Sequence, residues 1–143
     1  MKEPKQIIQL QKRFFETGKT RDINFIKAKL KQLKKSIINN EDAIHQVLYK
    51  DLKKPKFEAY MSELGILISE INNVLKNLSK WSKPKKVRSS KLNFPSKDYI
   101  YCEPYGTVLV IAPWNYPFQL AIGPIITAIA AGNTVVLLSL IHI

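Results

Sequence analysis

The chain has 143 residues, a net charge of +12 and one cysteine, Cys102. That is enough for one domain with a buried core; it excludes an internal disulfide framework and fits a reducing, cytoplasmic setting. The basic surplus raises nucleic acid or an anionic membrane as partners, but all 23 basic residues precede Tyr101, and beyond it only Glu103 is formally charged.

In chain order, the start Met1-Lys2-Glu3-Pro4-Lys5 lacks the continuous apolar run of a secretory signal. From about Lys5 to Thr17, Ile7, Ile8, Leu10, Phe14 and Phe15 recur at roughly helical spacing, and Gly18 can end the helix. Thr20 or Asp22 offers a cap for a second helix, with Ile23, Ile26, Leu30, Leu33 and Ile37 on one face; Asn39-Asn40 break it. A third helix, about Glu41 to Lys53, opens with acids that suit the helix dipole and is expected to bury Ile44, Val47, Leu48 and Leu52. After Pro55 the longest helix runs to about Ser82, its stripe Tyr60, Leu64, Leu67, Ile71, Val74, Leu75, Leu78 and Trp81, and Pro84 ends it.

The basic stretch from Lys83 to Lys91 has no periodicity and reads as a connector. Tyr99-Ile100-Tyr101-Cys102 is rich in strand formers, within a strand expected from about Asp98 to Glu103. Thr107-Val108-Leu109-Val110-Ile111 is a β-branched run of the kind found in strands covered on both faces. Pro117 to Ala131 is apolar all round, with proline at a plausible first helical position; Gly132-Asn133 caps it, and Thr134-Val135-Val136-Leu137 resumes strand composition. Strand, helix and strand make one βαβ unit, whose first loop lies at the carboxyl edge of the sheet, where a ligand belongs.

Glu103-Pro104-Tyr105-Gly106, Val108 to Ile111, Pro113-Trp114-Asn115-Tyr116-Pro117 and Ala128-Ile129-Ala130-Ala131-Gly132-Asn133, in that order, closely resemble the aldehyde dehydrogenase superfamily. Upstream, Phe14-Phe15, Gly18 to Arg21, Asp51 to Lys54, Phe57 to Tyr60 and Lys80 to Pro84 resemble its class 3 branch, which acts on medium- and long-chain aliphatic and aromatic aldehydes. The implied fold class is α/β: amino-terminal helices plus the start of a Rossmann-like parallel sheet, with strands of an oligomerisation arm, an incomplete aldehyde dehydrogenase fold. Residues 1–84 would be the helical part of the cofactor-binding domain and 85–104 a connector with the first arm strands, around Leu92 to Glu103. Residues 105–137 would be the first βαβ of the cofactor-binding domain.

The resemblance further implies NAD or NADP as cofactor, an aldehyde as substrate and a homodimer in the full-length enzyme. In the family a cysteine thiolate attacks the aldehyde, hydride passes to the nicotinamide, and a glutamate-activated water hydrolyses the thioester. Both of those residues lie downstream of this sequence, so Cys102 is not the nucleophile and is assigned a packing role. Asn115 matches the asparagine whose amide donates to the oxyanion. Ala112, Pro113 and Trp114 match cofactor-lining positions, and Tyr116 matches the edge of the substrate tunnel. The bland alternatives are that Asn115 caps the following helix and that Trp114 and Tyr116 simply pack in the core.

Where the family continues Lys-Pro-Ser-Glu, with the lysine on the adenosine ribose, this chain has Leu138-Ser139-Leu140-Ile141-His142-Ile143. Those six residues spell the translation of a transposase end sequence used in preparing sequencing libraries, so 138–143 are expected to be non-native read-through. His142 is then no ligand, and His45, without a second histidine to pair with, is expected to be partly exposed and not a metal site.

Two rival readings remain. A basic nucleic-acid-binding module is disfavoured because the lysines spread over several helix faces that also carry acids. A membrane anchor is disfavoured because Pro113, Pro117, Pro124 and Gly132-Asn133 interrupt the apolar end short of the roughly 20 residues a span needs.

Overall fold

In the computed structural model, which describes residues 3–139, α1 (Pro4–Glu16) stops at Gly18, whose φ of +74° turns the chain. Asp22 caps α2 (Ile23–Asn39): its Oδ1 accepts from the Asn24 amide at 2.8 Å, while Thr20 is buried in the preceding turn. Ile26, Leu30 and Ile37 form the buried face of α2 as their spacing predicts. In α3 (Glu41–Leu52) the buried residues are His45 and Leu48, and Val47 is 57% exposed, against the expected inward Val47 and outward His45. At about 100° per residue, Ile44, Leu48 and Leu52 define a face whose edge takes in position 45, while 47 falls about 100° from its centre. Buried His45 has Glu41 as a neighbour, with Nε2 3.5 Å from Oε1.

The long helix forms without interruption but not with uniform pitch. It comprises α4 (Lys56–Ala59), a widened π turn at Tyr60–Leu64, and α5 (Gly65–Trp81). Ala59, Glu63, Leu67 and Ile71 are all buried and spaced by four, a spacing that drifts about 40° per step on a regular helix. The wide turn takes up an extra residue and keeps them on one side. Tyr60 and Trp81, expected in the stripe, are 39% and 51% exposed at its two ends. Leu30, Leu64, Leu67, Ile71 and Ile126 pack in one core shared by α2, the π turn, α5 and α6 (Pro117–Ala130). Each such side chain contributes about 1.5–3 kcal/mol by leaving water.

The connector is less irregular than its composition suggests. Lys85–Val87 is β1, paired antiparallel with β2 (Asp98–Ile100) in the register Lys86 opposite Tyr99. The expected strand near Asp98 is therefore shorter than its strand-forming sequence. The βαβ unit forms as expected: β3 (Thr107–Ala112) and β4 (Thr134–Ser139) are parallel, Thr107 opposite Thr134, with α6 between them. Among the described residues β3 is not covered on both faces: Val110 and Ala112 are buried, but Leu109 and Ile111 are 59% and 57% exposed. Of the expected read-through, Leu138 and Ser139 continue β4; Leu140 to Ile143 lie outside the described residues.

A glycine ends α6 and fixes where β4 begins. Gly132 has φ +82°, its amide donates to Ile129 O at 2.9 Å, and the Asn133 amide donates to Ala128 O at 3.0 Å. These are the paired bonds of a Schellman cap. The Asn133 Oδ1 then accepts from the Gly106 amide at 3.0 Å, tying the end of α6 to the start of β3. A Cβ on Gly132 would sit 3.0 Å from Thr20 O, whereas one on Gly18 would meet nothing within 4 Å. Both glycines hold positive φ, which costs an L residue about 1–2 kcal/mol. Gly132→Ala is therefore expected to lower the thermal midpoint more than Gly18→Ala; equal shifts in parallel melts would show that the contact with Thr20 carries no weight.

Candidate active site

Residues 113–116 join the carboxyl end of β3 to α6, the position in a parallel sheet where ligands bind. Ala112 is buried as the last residue of β3 and anchors the loop in the sheet. Pro113 and Asn115 are exposed, Trp114 is 71% exposed and Tyr116 is 40% exposed. Neither aromatic ring is a buried core side chain among the described residues. Pro117 starts α6 at a position that suits its fixed φ and missing N–H.

Asn115 does not cap α6. The residue before the helix is Tyr116, no side chain from the cap position bonds the first turn, and among the described residues no hydrogen bond involves the Asn115 carboxamide. The cap comes from another element. Glu63, fully buried in the π turn, accepts through Oε2 from the amides of Phe118 and Gln119, both at 3.0 Å. Pro117 has no N–H and Leu120 already donates to Tyr116 O at 2.9 Å, so one carboxylate oxygen serves both remaining first-turn donors. Its negative charge also meets the positive end of the helix dipole.

The other oxygen of Glu63, Oε1, pairs with Lys54 Nζ at 2.5 Å. Lys54 is itself 10% exposed, and its ammonium does two further things at the loop. It donates to Asn115 O at 3.4 Å and lies 3.9 Å from the centroid of the Tyr116 ring, within cation–π range. A buried ion pair of this kind contributes little over an apolar pair, but losing one partner costs about 3–5 kcal/mol because the other charge is left uncompensated.

The Pro-Trp-Asn-Tyr motif was legible in the sequence; Glu63 and Lys54 as its supports were not. The signal available was a lone acid in register with Ala59, Leu67 and Ile71 on an apolar stripe, where a charge demands a partner. The same contact limits how a nucleotide can sit. In the dinucleotide folds a pyrophosphate takes the amides at the start of the first crossover helix, and here Glu63 occupies them. The loop presents to solvent the Trp114 ring, the Asn115 carboxamide and part of Tyr116.

Other candidates do not join this loop. Cys102 is exposed instead of packed, and lies before β3, at the opposite end from the loop, with about 17 Å of strand between. His45 belongs to α3, and among the described residues no three His, Cys, Asp or Glu side chains are grouped to hold a metal. No helix among the described residues is long and apolar enough to cross a membrane.

Comparison with known proteins bears on the family and the fold. The chain is 52% identical over 126 residues to 4,4'-diaponeurosporen-aldehyde dehydrogenase of Staphylococcus aureus, covering 88% of this chain and 28% of that protein. It is 41% identical over 130 residues to aldehyde dehydrogenase family 3 member B1 of Bos taurus, covering 91% and 28%. The chain thus spans about 28% of the length of these relatives. The substrate-bound state of Staphylococcus aureus AldH superposes with a TM-score of 0.93 at 49% identity, over 96% of this chain and 30% of that one. Succinic semialdehyde dehydrogenase from Streptococcus pyogenes, in complex with NADP+, shares the fold at a TM-score of 0.77 and 16% identity, over 94% and 29%. A profile of the aldehyde dehydrogenase family matches residues 2–139, and with this fold and loop the chain belongs to that family.

Proposed function

We propose that these residues serve as the amino-terminal part of an NAD(P)-dependent aldehyde dehydrogenase that oxidises aliphatic or aromatic aldehydes to carboxylic acids, with Asn115 as its oxyanion donor. The observation that carries the reading is the division of labour at α6. Glu63 meets the capping demand of the helix, so the Asn115 amide beside it keeps its donors for something else. Attack on an aldehyde carbonyl by a thiolate supplied from outside these residues moves negative charge onto the carbonyl oxygen. A neutral, fixed N–H donor aimed at that oxygen lowers the barrier because it strengthens as the charge develops. Tyr116, half-turned to solvent next to Asn115, edges the path by which the aldehyde arrives.

Ala112, Pro113 and Trp114 would line the cofactor, through backbone and the Trp114 ring. Their chemistry fits an uncharged ring or sugar edge, not a phosphate, which is consistent with Glu63 filling the amides of α6. When bound, the nicotinamide supplies the hydride acceptor. The hairpin of β1 and β2, with Leu92 and Phe94 of its connecting segment 95% and 87% exposed, suits an arm that packs against a second subunit.

In a full-length enzyme carrying this segment, Asn115→Ala is expected to lower kcat by about 100- to 1000-fold while leaving cofactor affinity nearly unchanged. Asn115→Asp is expected to be worse, because a carboxylate repels the developing oxyanion. A capping Asn115 predicts the reverse, since aspartate caps as well as asparagine and alanine costs only about 1 kcal/mol of stability. Steady-state rates and melts of both variants distinguish the two, and near-normal turnover in Asn115→Asp rules out the oxyanion role.

The 143-residue chain expressed alone is expected to oxidise no aldehyde, to bind NAD immeasurably weakly and to aggregate through Leu109, Ile111 and the open edges of β3 and β4. A monodisperse monomer that unfolds cooperatively in light scattering and calorimetry would contradict this.

A further inference from the structure

We infer that Glu63 and Lys54 are positioning residues: together they fix the 113–116 loop against the helical core and thereby aim the Asn115 amide. This rests on the oxyanion reading of Asn115 above. The geometry is a clamp with two jaws. Glu63 holds the residues just after the loop through the amides of Phe118 and Gln119, and Lys54 holds the loop itself through Asn115 O and the face of Tyr116. The ion pair between them makes the jaws one unit. Glu63 is presented from the buried side of a π turn, with Leu64 fully buried next to it while Tyr60 and Met61 face solvent. Turns of this kind recur at functional sites because they re-aim one residue without ending the helix.

Among the described residues the backbone of Asn115 lies outside the sheet pairing, which ends at Ala112, and its carbonyl accepts from Lys54 Nζ at 3.4 Å; this contact is the handle by which Lys54 would orient the residue. A donor about 1 Å out of place can cost on the order of 100-fold in rate. Neither residue touches the aldehyde in this account, so both act through Asn115. Two groups that act through one donor lose their effect when the donor is gone.

The test uses a full-length enzyme carrying this segment, with Glu63→Gln, Lys54→Met and Lys54→Arg, each alone and combined with Asn115→Ala. Lys56→Met serves as control, since Lys56 pairs with Asp42 on the surface and does not contact the loop. The expected result is a kcat lower by about 10- to 100-fold in Glu63→Gln and Lys54→Met, nearly unchanged cofactor affinity, and partial recovery in Lys54→Arg, which keeps the charge. In the Asn115→Ala background the same substitutions are expected to cost less than about threefold. Hydrogen exchange of the peptide spanning 113–121, read by mass spectrometry, is expected to speed up in Glu63→Gln and Lys54→Met and not in Lys56→Met. If Glu63→Gln does not fold, the Lys54 variants decide alone. Losses that multiply fully with Asn115→Ala, or unchanged exchange and rate in folded variants, overturn the clamp. An unsubstituted enzyme that reduces no nicotinamide nucleotide with any aldehyde instead overturns the functional reading, and the exchange data then still report whether the clamp holds the loop.

Discussion

A carboxylate with no exposed surface must find all its hydrogen bonds inside the protein, and Glu63 finds them at a single junction. Around that junction the long helix, the segment after α3 and the βαβ unit are brought together. The π turn carries Glu63, Lys54 follows α3, and the first turn of α6 supplies the amides. Removing the carboxylate would leave Lys54 buried beside two unserved N–H groups, so the helical front and the sheet are coupled through polar contacts as well as through the apolar core of Leu30, Leu67, Ile71 and Ile126. The loop of Pro113 to Tyr116 is thus held by Lys54 and bordered by the Glu63 cap, and its side chains stay open to solvent.

The electrostatic character of the chain follows the same division. The surplus of lysine looks like a nucleic-acid signal when summed, but the side chains are used one by one at the surface. Lys27 Nζ donates to Ser79 Oγ and Lys34 Nζ to Asn72 Oδ1, both at 2.7 Å, bracing α2 against α5. Lys56 pairs with Asp42, which holds that carboxyl below the ordinary range through the hydrogen bond and charge of the lysine. Lys54 differs from these in being almost enclosed, and its ammonium reaches the loop.

How much was legible depended on whether the cause was local. Gly18, Asp22 and Gly132 act on their own turns, so the ends of α1, the cap of α2 and the end of α6 could be read from the residues themselves. The alternation that hides Val110 and exposes Leu109 could not, because a β-branched run looks the same whether one face or both are covered. Lys85–Val87 looked like connector because its strand character comes from pairing with Asp98–Ile100 across the hairpin, not from its own composition. His45 was expected to be partly exposed, yet its angular position, about 20° beyond Leu52 at the edge of the Ile44–Leu48–Leu52 face, buries it. The loop itself was legible as a motif, but its supports were not: the link between Glu63 and Phe118 spans 55 residues, and no local pattern encodes it.

The measurement that bears most directly on the central claim is a crystal structure of a full-length enzyme carrying this segment, trapped with an aldehyde-derived covalent adduct. The account predicts that the Asn115 Nδ2 lies about 2.7–3.1 Å from the adduct oxygen, while Glu63 still accepts from the amides of Phe118 and Gln119 and Lys54 still rests on Tyr116. An Asn115 amide turned back onto the first turn of α6, with Glu63 released from it, would contradict the account.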